Sequence, residues 1–364
     1  MTRTLLLASV ALMAAAGTTI GASEPHGPII VHSALGGTII GYDVDQNGTE
    51  GVLSEYVVEQ VGFEIAIETF DQETGKIKEI VKKIQSTGDF ITLGVVGTSI
   101  GLVEQQHADP YVYKTTYDTL NPLDANKITG HWTPNLRKID NHIQGMSESQ
   151  GSSSTAVLGV NFKTFESFVF GANVATNVSG PITRLTDNVF GYSNYPVVAL
   201  NTVTGNAIVG AAGAGYTTPE LAIVDLAKGK VTEFSGVGAG EVDGIAVDSA
   251  DNIACTTTQA DYSVEFYDLA TQSGFKETLN GATGEFEAGY DVQFDPVNKL
   301  FLIDQEACDV QGDGCVDVYD TSGNWLEAPS APGFSHIALN PNTRTGFLQL
   351  RDNDKFDELG SFTY

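Results

Sequence analysis

Short apolar segments alternate with polar turns along most of the chain. In the second half, the segment 243–248 ends at a polar turn and is followed by the apolar segments 253–255 and 263–268. Apolar or β-branched runs of about four to eight residues between Asp, Asn and Gly turns are typical of β-strands. The same order returns at 289–295, 299–304 and 315–320, and again at 335–340 and 345–350. This pattern predicts an all-β protein built from a repeated unit of short strands.

The first half of the chain keeps the same spacing in a weaker form. The turn that follows the first strand of each unit falls at residues 43, 94, 147, 201, 248, 295 and 340, so successive units are 45 to 54 residues apart. A blade of a β-propeller contains four strands and about 40–50 residues. The sequence therefore predicts a seven-bladed β-propeller.

The last unit contains only three predicted strands, which end with 359–364. The apolar segment Pro28–His32 precedes the first unit, and we expect this N-terminal strand to complete the last blade and close the ring. Closure removes two exposed sheet edges, which are sites of association. Two β-sandwich domains are the alternative, but they do not explain an even spacing that ends one strand short. The segment 76–85 has apolar residues at helical spacing and predicts a short helix at the outer edge of the first blade.

The N-terminus has the order of a secretory signal peptide. Arg3 precedes an apolar run from Leu5 to Ala16, and small residues continue to Ser23. The run is shorter than the about 20 residues that a membrane span needs. We therefore expect a signal peptide at 1–22 and a propeller at 23–364. The signal peptide predicts an extracellular protein, or a periplasmic one in a Gram-negative source. No later segment predicts a membrane span, so the mature protein is expected to be soluble.

The charge balance limits the classes of partner. The chain has 46 acidic and 18 basic residues and a formal net charge of −28. Such a surface repels nucleic acid and anionic lipid, and it favours solubility and cation binding. We expect a monomer that binds a small molecule or a glycan.

Three cysteines are present. Cys308 and Cys315 flank a short loop and are expected to form a disulfide in an exported chain. Cys255 lies in an apolar run and is expected to be a buried free thiol. Asn47 and Asn177 begin glycosylation sequons, which are meaningful in a eukaryotic source.

Candidate functional residues come from one face of the predicted ring, where first strands begin and second strands end. Carboxylates from several blades could hold Ca²⁺ or Mg²⁺, and a histidine beside a carboxylate suits acid–base catalysis. The alternative is that the rim is polar because water fills it. The candidate catalytic residues are His142, His336 and Glu306. The candidate ligand-binding residues are Glu104, His107, Asp243 and Arg351, and the candidate metal ligands are Asp291, Asp304 and Glu306.

Two short segments resemble calcium loops. The segment 43–48 (Asp-Val-Asp-Gln-Asn-Gly) matches the opening of an EF-hand loop, but its twelfth position is Ser54 rather than glutamate. These residue types are also favoured in a plain turn. Asp309, Gln311 and Asp313 in the predicted disulfide loop form the second candidate. The sequence contains no nucleophile elbow, zinc-protease motif or phosphate-binding glycine loop.

The segments 245–252, 294–300 and 339–343 resemble the strand–turn–strand phrases of lactonase-type propellers. That superfamily includes seven-bladed phosphogluconolactonase-like and carboxymuconate-cyclase-like proteins and, more distantly, SMP-30/gluconolactonase-like enzymes. The resemblance extends over most of the chain but concerns the scaffold, since neither a metal-binding triad nor a lactonising set can be matched. It implies a lactone or ester hydrolase, or a lactonising enzyme. The alternative is a non-catalytic secreted propeller that recognises a glycan, a metabolite or a protein.

Overall fold

The computed structural model of the protein describes twenty separate stretches of the chain. They are 29–46, 48–59, 62–86, 90–96, 99–109, 112–120, 128–132, 141–147, 152–161, 167–173, 175–176, 178–185, 197–212, 219–235, 242–258, 263–279, 291–305, 315–331, 336–350 and 356–364. Within these stretches every regular element is a β-strand. The predicted all-β class is confirmed. No helix in the described stretches is long and apolar enough to span a membrane.

The strands form seven antiparallel sheets, which we number I to VII. The first strand of the chain, β1, covers Ile30–His32 and lies in sheet VII. Sheet I contains β2 (Thr38–Val44), β3 (Glu50–Glu59), β4 (Gly62–Asp71) and β5 (Ile77–Ser86). Sheet II contains β6 (Phe90–Val96), β7 (Ser99–Asp109), β8 (Val112–Leu120) and β9 (Ile128–Trp132). Sheet III contains β10 (Asn141–Met146), β11 (Ser154–Asn161), β12 (Ser167–Asn173), β13 (Val178–Ser179) and β14 (Thr183–Leu185).

The remaining sheets repeat the four-strand meander. Sheet IV contains β15 (Val197–Asn201), β16 (Asn206–Ala212), β17 (Pro219–Asp225) and β18 (Lys230–Ser235). Sheet V contains β19 (Val242–Asp248), β20 (Ile253–Thr258), β21 (Ser263–Asp268) and β22 (Ser273–Leu279). Sheet VI contains β23 (Val292–Asp295), β24 (Leu300–Gln305), β25 (Cys315–Asp320) and β26 (Trp325–Glu327). Sheet VII contains β27 (Ala338–Asn340), β28 (Thr345–Gln349), β29 (Glu358–Thr363) and β1, in the order β1-β29-β28-β27.

The first strands of neighbouring sheets contact one another in chain order, from β2 through β6, β10, β15, β19 and β23 to β27. The last of them, β27, contacts β2. Beside β27 and β28, the first and last described strands pair with each other, because Val31 of β1 lies opposite Leu359 of β29. The Ser361 N–H also donates to the Ile29 carbonyl oxygen at 2.9 Å.

The turn after the first strand has a common construction in sheets IV to VI. Its first residue is Asn201, Asp248 or Asp295, and the side-chain oxygen accepts hydrogen bonds from the backbone two and three residues later. The turn closes with a left-handed residue, such as Lys299 with φ of 59° or Gly205 with φ of 71°. Asp and Asn favour such turns because their short side chains can bond to nearby backbone N–H groups.

Apolar side chains fill the spaces between neighbouring sheets. One cluster joins sheets VII and I, and it includes Val31, Leu53, Phe70, Phe347 and Leu359, all with 0% exposure. Other clusters join sheets III and IV, IV and V, V and VI, and VI and VII. The core is therefore divided among the sheet interfaces.

The short helix predicted for 76–85 is wrong, because Ile77–Ser86 is the strand β5. Its ladder with β4 shifts register twice, between Ile67 and Glu68 and between Thr69 and Phe70. A β-bulge inserts an extra residue and resets the alternation of faces. With two bulges in β5, its apolar residues no longer alternate with a period of two, and their spacing resembles that of a helix.

Candidate functional site

A cavity of about 510 Å³ lies along the first strands of sheets IV to VI. Its wall follows β19 from Asp243 to the turn residue Ala250. The neighbouring strands contribute Val198 from β15 and Gln293 from β23, and Met146 of β10 also contributes. Strands of several sheets thus bring residues that are far apart in sequence to one wall.

Asp291 and His336 form an ion pair that lines this cavity. Their side chains are 18% and 37% exposed, and His336 Nδ1 lies 3.1 Å from Asp291 Oδ2. The same oxygen accepts the Ile337 N–H at 2.8 Å and the Gln293 side-chain amide at 3.2 Å. Three donors from two sheets therefore hold one oxygen of the Asp291 carboxylate.

The surroundings keep Asp291 ionised. Burial raises the pKa of its carboxyl, but the charge and hydrogen bond of His336, with the N–H groups of Ile337 and Gln293, outweigh burial and hold the pKa below its ordinary value. The second oxygen, Oδ1, accepts no hydrogen bond from the residues that the structure describes. An ionised carboxylate with one oxygen available is suited to bind a cation or a hydrogen-bond donor.

Tyr42 fixes the backbone of His336 from the other side. Its hydroxyl donates to the His336 carbonyl oxygen and accepts the Gln349 N–H at 3.0 Å. The two rings meet edge to face with centroids 5.6 Å apart. Tyr42 lies in sheet I and Gln349 lies in sheet VII, so the Tyr42 hydroxyl joins these two sheets beside His336.

Gly244 permits β19 and β23 to approach closely beside the cavity. A Cβ atom at this position would lie 3.0 Å from Asp291 Cα and 2.9 Å from the Val292 nitrogen. Real Cβ contacts are essentially never shorter than 3.0 Å, and the atoms met here are backbone, so a larger residue would push the strands apart. Asp243 and Asp291 both line the cavity beside this close approach.

The turns at the other end of the cavity wall are joined by polar contacts between sheets. Lys299 Nζ lies 2.9 Å from Asp248 Oδ2 and 3.3 Å from Asp251 Oδ2. Asn201 donates to Asn252 at 2.8 Å, which joins the turns of sheets IV and V. This network was not predicted from the sequence, although the repeated Asp or Asn at the start of each turn was a visible signal.

Among the predicted site residues, the structure brings Asp243, Asp291 and His336 to one cavity. Asp304 is fully buried in β24 and does not line the cavity, and its N–H donates to the Asp291 carbonyl oxygen at 3.1 Å. Glu104 and His107 lie in β7 and His142 lies in β10, but their side chains are outside the described part of the structure. Glu306 and Arg351 lie outside the described residues.

In the described stretches, no three His, Cys, Asp or Glu side chains lie together in a way that could hold a metal ion. The calcium-like turn at 43–48 contacts sheet VII instead. The carbonyl oxygens of Gln46 and Gly48 accept hydrogen bonds from the side chains of Asn342 and Asn340. Asn47 and the segment 309–313 lie outside the described residues.

Cys255 is a free thiol with 0% exposure, as predicted. Burial raises its pKa, and the nearby Glu265 carboxylate raises it further. An apolar, buried thiol of this kind is unreactive. Cys308 lies outside the described residues, as does Asn177. The pairing of Cys308 with Cys315 stays a prediction.

Comparisons with known proteins support a propeller scaffold. No family model and no curated protein matches the chain. Among solved structures, the chain is similar to the β-propeller domain of Cps50 (Swd1) from Myceliophteria thermophila. The TM-score is 0.61, the sequence identity is 10%, and the match covers 93% of this chain and 100% of that one. It is also similar to the Dos1 propeller, with a TM-score of 0.60 and 10% identity over 92% of this chain and 94% of that one.

These comparisons correct the predicted function. The prediction of a lactone or ester hydrolase, or of a lactonising enzyme, is wrong, because the solved structures to which the chain is similar are the propellers of Swd1 and Dos1. The resemblance to the lactonase-type superfamily correctly indicated a propeller, but the comparisons do not support that particular superfamily. The strand–turn–strand phrases misled because the physics of a blade turn is common to propellers with different functions.

Proposed function

We propose that this protein is a non-catalytic binding β-propeller that recognises a partner protein at the cavity lined by Asp243, Asp291 and His336. The single observation that carries this proposal is the Asp291 carboxylate. It is ionised, held by three donors on one oxygen, and has its other oxygen available at a cavity of about 510 Å³. Preorganised groups bind well because little ordering is needed on association.

The charge of the chain supports a basic partner. The formal net charge is −28, so long-range attraction would steer a lysine- or arginine-rich segment toward the protein. A guanidinium or ammonium group could then approach Asp291 Oδ1 within the cavity. Electrostatic complementarity of this kind contributes specificity and a high association rate.

Binding of a labelled arginine-containing peptide to the full chain, measured by fluorescence anisotropy, tests this role. We expect Asp291→Asn to weaken binding about tenfold, which is the loss of one charge-assisted contact of ~1.4 kcal/mol. Asp225→Asn is the matched control, because this substitution makes the same change in net charge. Asp225 lies at the exposed β17–β18 turn. Equal binding by wild type and Asp291→Asn, or equal weakening by both variants, would reject the cavity as the site.

The architecture behind this site is also a proposal. The seven sheets are taken as seven blades of one ring, and β1 completes the last blade. The order of contacts among the first strands and the pairing of β1 with β29 support this reading. A closed ring predicts that the shape of the cavity depends on the junction between sheets VII and I.

Export of the chain remains part of the proposal. A signal peptide at 1–22 would deliver the propeller to an oxidising compartment, where Cys308 and Cys315 would form a disulfide. Peptide mapping of the secreted protein without reduction tests both points. A mature N-terminus near Ser23 and a linked Cys308–Cys315 peptide are expected, whereas a linkage to Cys255 would contradict the blade alignment.

Thermal melts with Ca²⁺ and with EDTA test the predicted cation site, and equal melting curves would reject it.

A further inference from the structure

Two buried carboxyl groups lie side by side in sheet I. Glu55 of β3 and Glu68 of β4 both have 0% exposure. In the β3–β4 ladder Glu55 lies opposite Ala66, and Glu68 is two residues further along the same face. Diagonal neighbours in an antiparallel pair are close enough for long side chains to meet. The two carboxyl groups interact, since the neighbouring Glu55 raises the pKa of Glu68.

Both carboxyl groups hold the backbone of residues 33–37, which we call the latch segment. Glu68 Oε2 accepts the Ala34 N–H at 2.9 Å. Glu55 accepts the Leu35 N–H on Oε1 at 3.0 Å and the Gly37 N–H on Oε2 at 2.9 Å. The latch segment joins β1 in sheet VII to β2 in sheet I. The two carboxyl groups therefore act on the connection that brings the N-terminal strand to the last sheet.

The pair is better satisfied with one proton than with none. Glu68 Oε1 is buried and receives no hydrogen bond from the described residues. Two adjacent ionised carboxylates would repel each other strongly at a buried site. A proton on Oε1 allows this oxygen to donate to Glu55, while the other three oxygens continue to accept backbone N–H groups. Burial, followed by the neighbouring Glu55, raises the pKa of Glu68 to about 7, although the Ala34 N–H and the charge of Lys83 oppose this shift.

The other charged groups around the pair do not neutralise it. Lys83 of β5 is 46% exposed and forms its ion pair with Glu64 at 2.5 Å. His32 of β1 is 68% exposed and pairs with Glu358. The latch segment itself contributes only neutral residues. The charge of Lys83 therefore offsets the charge of the pair only in part, and a shared proton removes the remaining repulsion between the two carboxylates.

We propose that Glu55 and Glu68 form a pH-sensitive latch, which holds residues 33–37 while the pair shares one proton and releases them when that proton is lost. Release would loosen the connection between β1 and β2 without unfolding the sheets. The latch would make the junction of sheets VII and I responsive to the pH of the compartment. This inference does not depend on the partner proposed above.

The sign of the effect follows from proton linkage. In the closed state the pKa of Glu68 is about 7. In the open state water would reach the carboxyl group, so its pKa should fall toward the ordinary value of 4.5. The closed state therefore holds more protons between these two values, and rising pH favours opening. The opening constant should increase about tenfold for each pH unit in this interval and then level off above it.

Amide hydrogen exchange on the full chain tests the latch, with rates corrected for the intrinsic pH dependence of exchange. In the wild type, we expect the Ala34, Leu35 and Gly37 amides to lose at least about tenfold of their protection between pH 5.5 and pH 8.5. Glu68→Gln keeps a neutral side chain that can donate to Glu55 and accept from Ala34. This variant should stay protected at both pH values.

Asp317→Asn is the matched control, because it makes the same carboxyl-to-amide change at a buried position in sheet VI. It should keep the wild-type pH dependence at the latch segment. Equal protection of wild-type residues 33–37 at both pH values would overturn the proposal, as would unchanged pH dependence in Glu68→Gln. If Glu68→Gln fails to fold, infrared difference spectroscopy of the wild type decides. A carboxylic acid C=O band that titrates near pH 7 supports the latch, and its absence overturns it.

Discussion

Sheets I and VI each carry a buried carboxyl group at the same place in the third strand. The side chains beside the two carboxyl groups differ, and they favour opposite ionisation states. Glu68 lies in β4, three residues before the turn residue Asp71, and Asp317 lies in β25, three residues before Asp320. The exposed fractions are 0% for Glu68 and 1% for Asp317. The positions in the third strand correspond, so the blade geometry does not account for the difference.

The neighbouring side chains account for it. Asp317 accepts hydrogen bonds from the side-chain amide of Gln305 and, at 3.0 Å, from the indole N–H of Trp325. Neutral donors stabilise an ionised carboxylate. Burial raises the pKa of Tyr319, and the negative charge of Asp317 raises it further. Glu68 instead lies beside Glu55, which favours protonation. The lesson is that a buried carboxyl group takes its ionisation state from the donors or acids that the register places next to it.

Removing β1 should have the largest effect, because it removes the strand that the latch segment joins to sheet I, and it leaves sheet VI untouched. We expect deletion of residues 24–33 to cost about 5 kcal/mol of unfolding free energy, from the lost ladder and the buried Val31. Chemical denaturation measures this loss. Deletion of 24–27 is the control, since it keeps β1 and should leave stability unchanged. A 24–33 deletion that unfolds like the parent would contradict the proposed ring closure.

The pH dependence of stability separates the two carboxyl groups. The folded-state pKa of Glu68 is raised from 4.5 to about 7, so unfolding releases its proton in this interval and stability falls as pH rises through it. We expect the wild type to lose about 3 kcal/mol from this group between pH 4.5 and pH 7. Urea titrations at pH 4.5 and pH 7 measure the unfolding free energy. The Glu68→Gln variant should not show this loss of stability between the two pH values. A variant with the wild-type slope would show that other groups cause it.

Asp317→Asn should destabilise the protein by about 2 kcal/mol, because one donor then faces an amide that cannot accept it. The loss should be similar at pH 5 and pH 8, in contrast to the effect at Glu68. The same urea titrations measure it. Asp225→Asn at an exposed turn provides the control and should change stability by less than about 0.5 kcal/mol. A strongly pH-dependent loss in Asp317→Asn would remove the contrast between the sheets.

The smallest effects concern turns in sheets V and VI. Gln272 is exposed with φ of 56°, so Gln272→Gly should stabilise the protein by about 0.5–1 kcal/mol by removing a left-handed side chain. Gly323 has φ of 73°, and a Cβ there would lie 2.8 Å from the Phe266 ring. Gly323→Ala should therefore destabilise by about 1 kcal/mol. Thermal melting measures both changes, and a shift in the same direction for the two variants would contradict this account.

The strands of sheets V and VI were predictable because each has a regular alternation between two turn signals. The predicted segments 263–268 and 315–320 agree with the bounds of β21 and β25. The strand β5 was not predictable, since two bulges altered its period. Asp243, Asp291 and His336 were predicted from their positions at strand starts, and the structure places all three at one cavity. The Glu55–Glu68 pair was missed, because a diagonal contact between strands depends on a register that the sequence does not display.

The sequence by itself determined the all-β class, the repeated strand–turn unit and the acidic charge. These properties depend on local turn chemistry, on the period of apolar residues and on composition, all of which are readable within a few residues. Only the tertiary structure decided which residues line the cavity and how each buried carboxyl group is satisfied. Those features depend on contacts between sheets and on ladder register, where a displacement of one residue changes the face and the partner of every side chain.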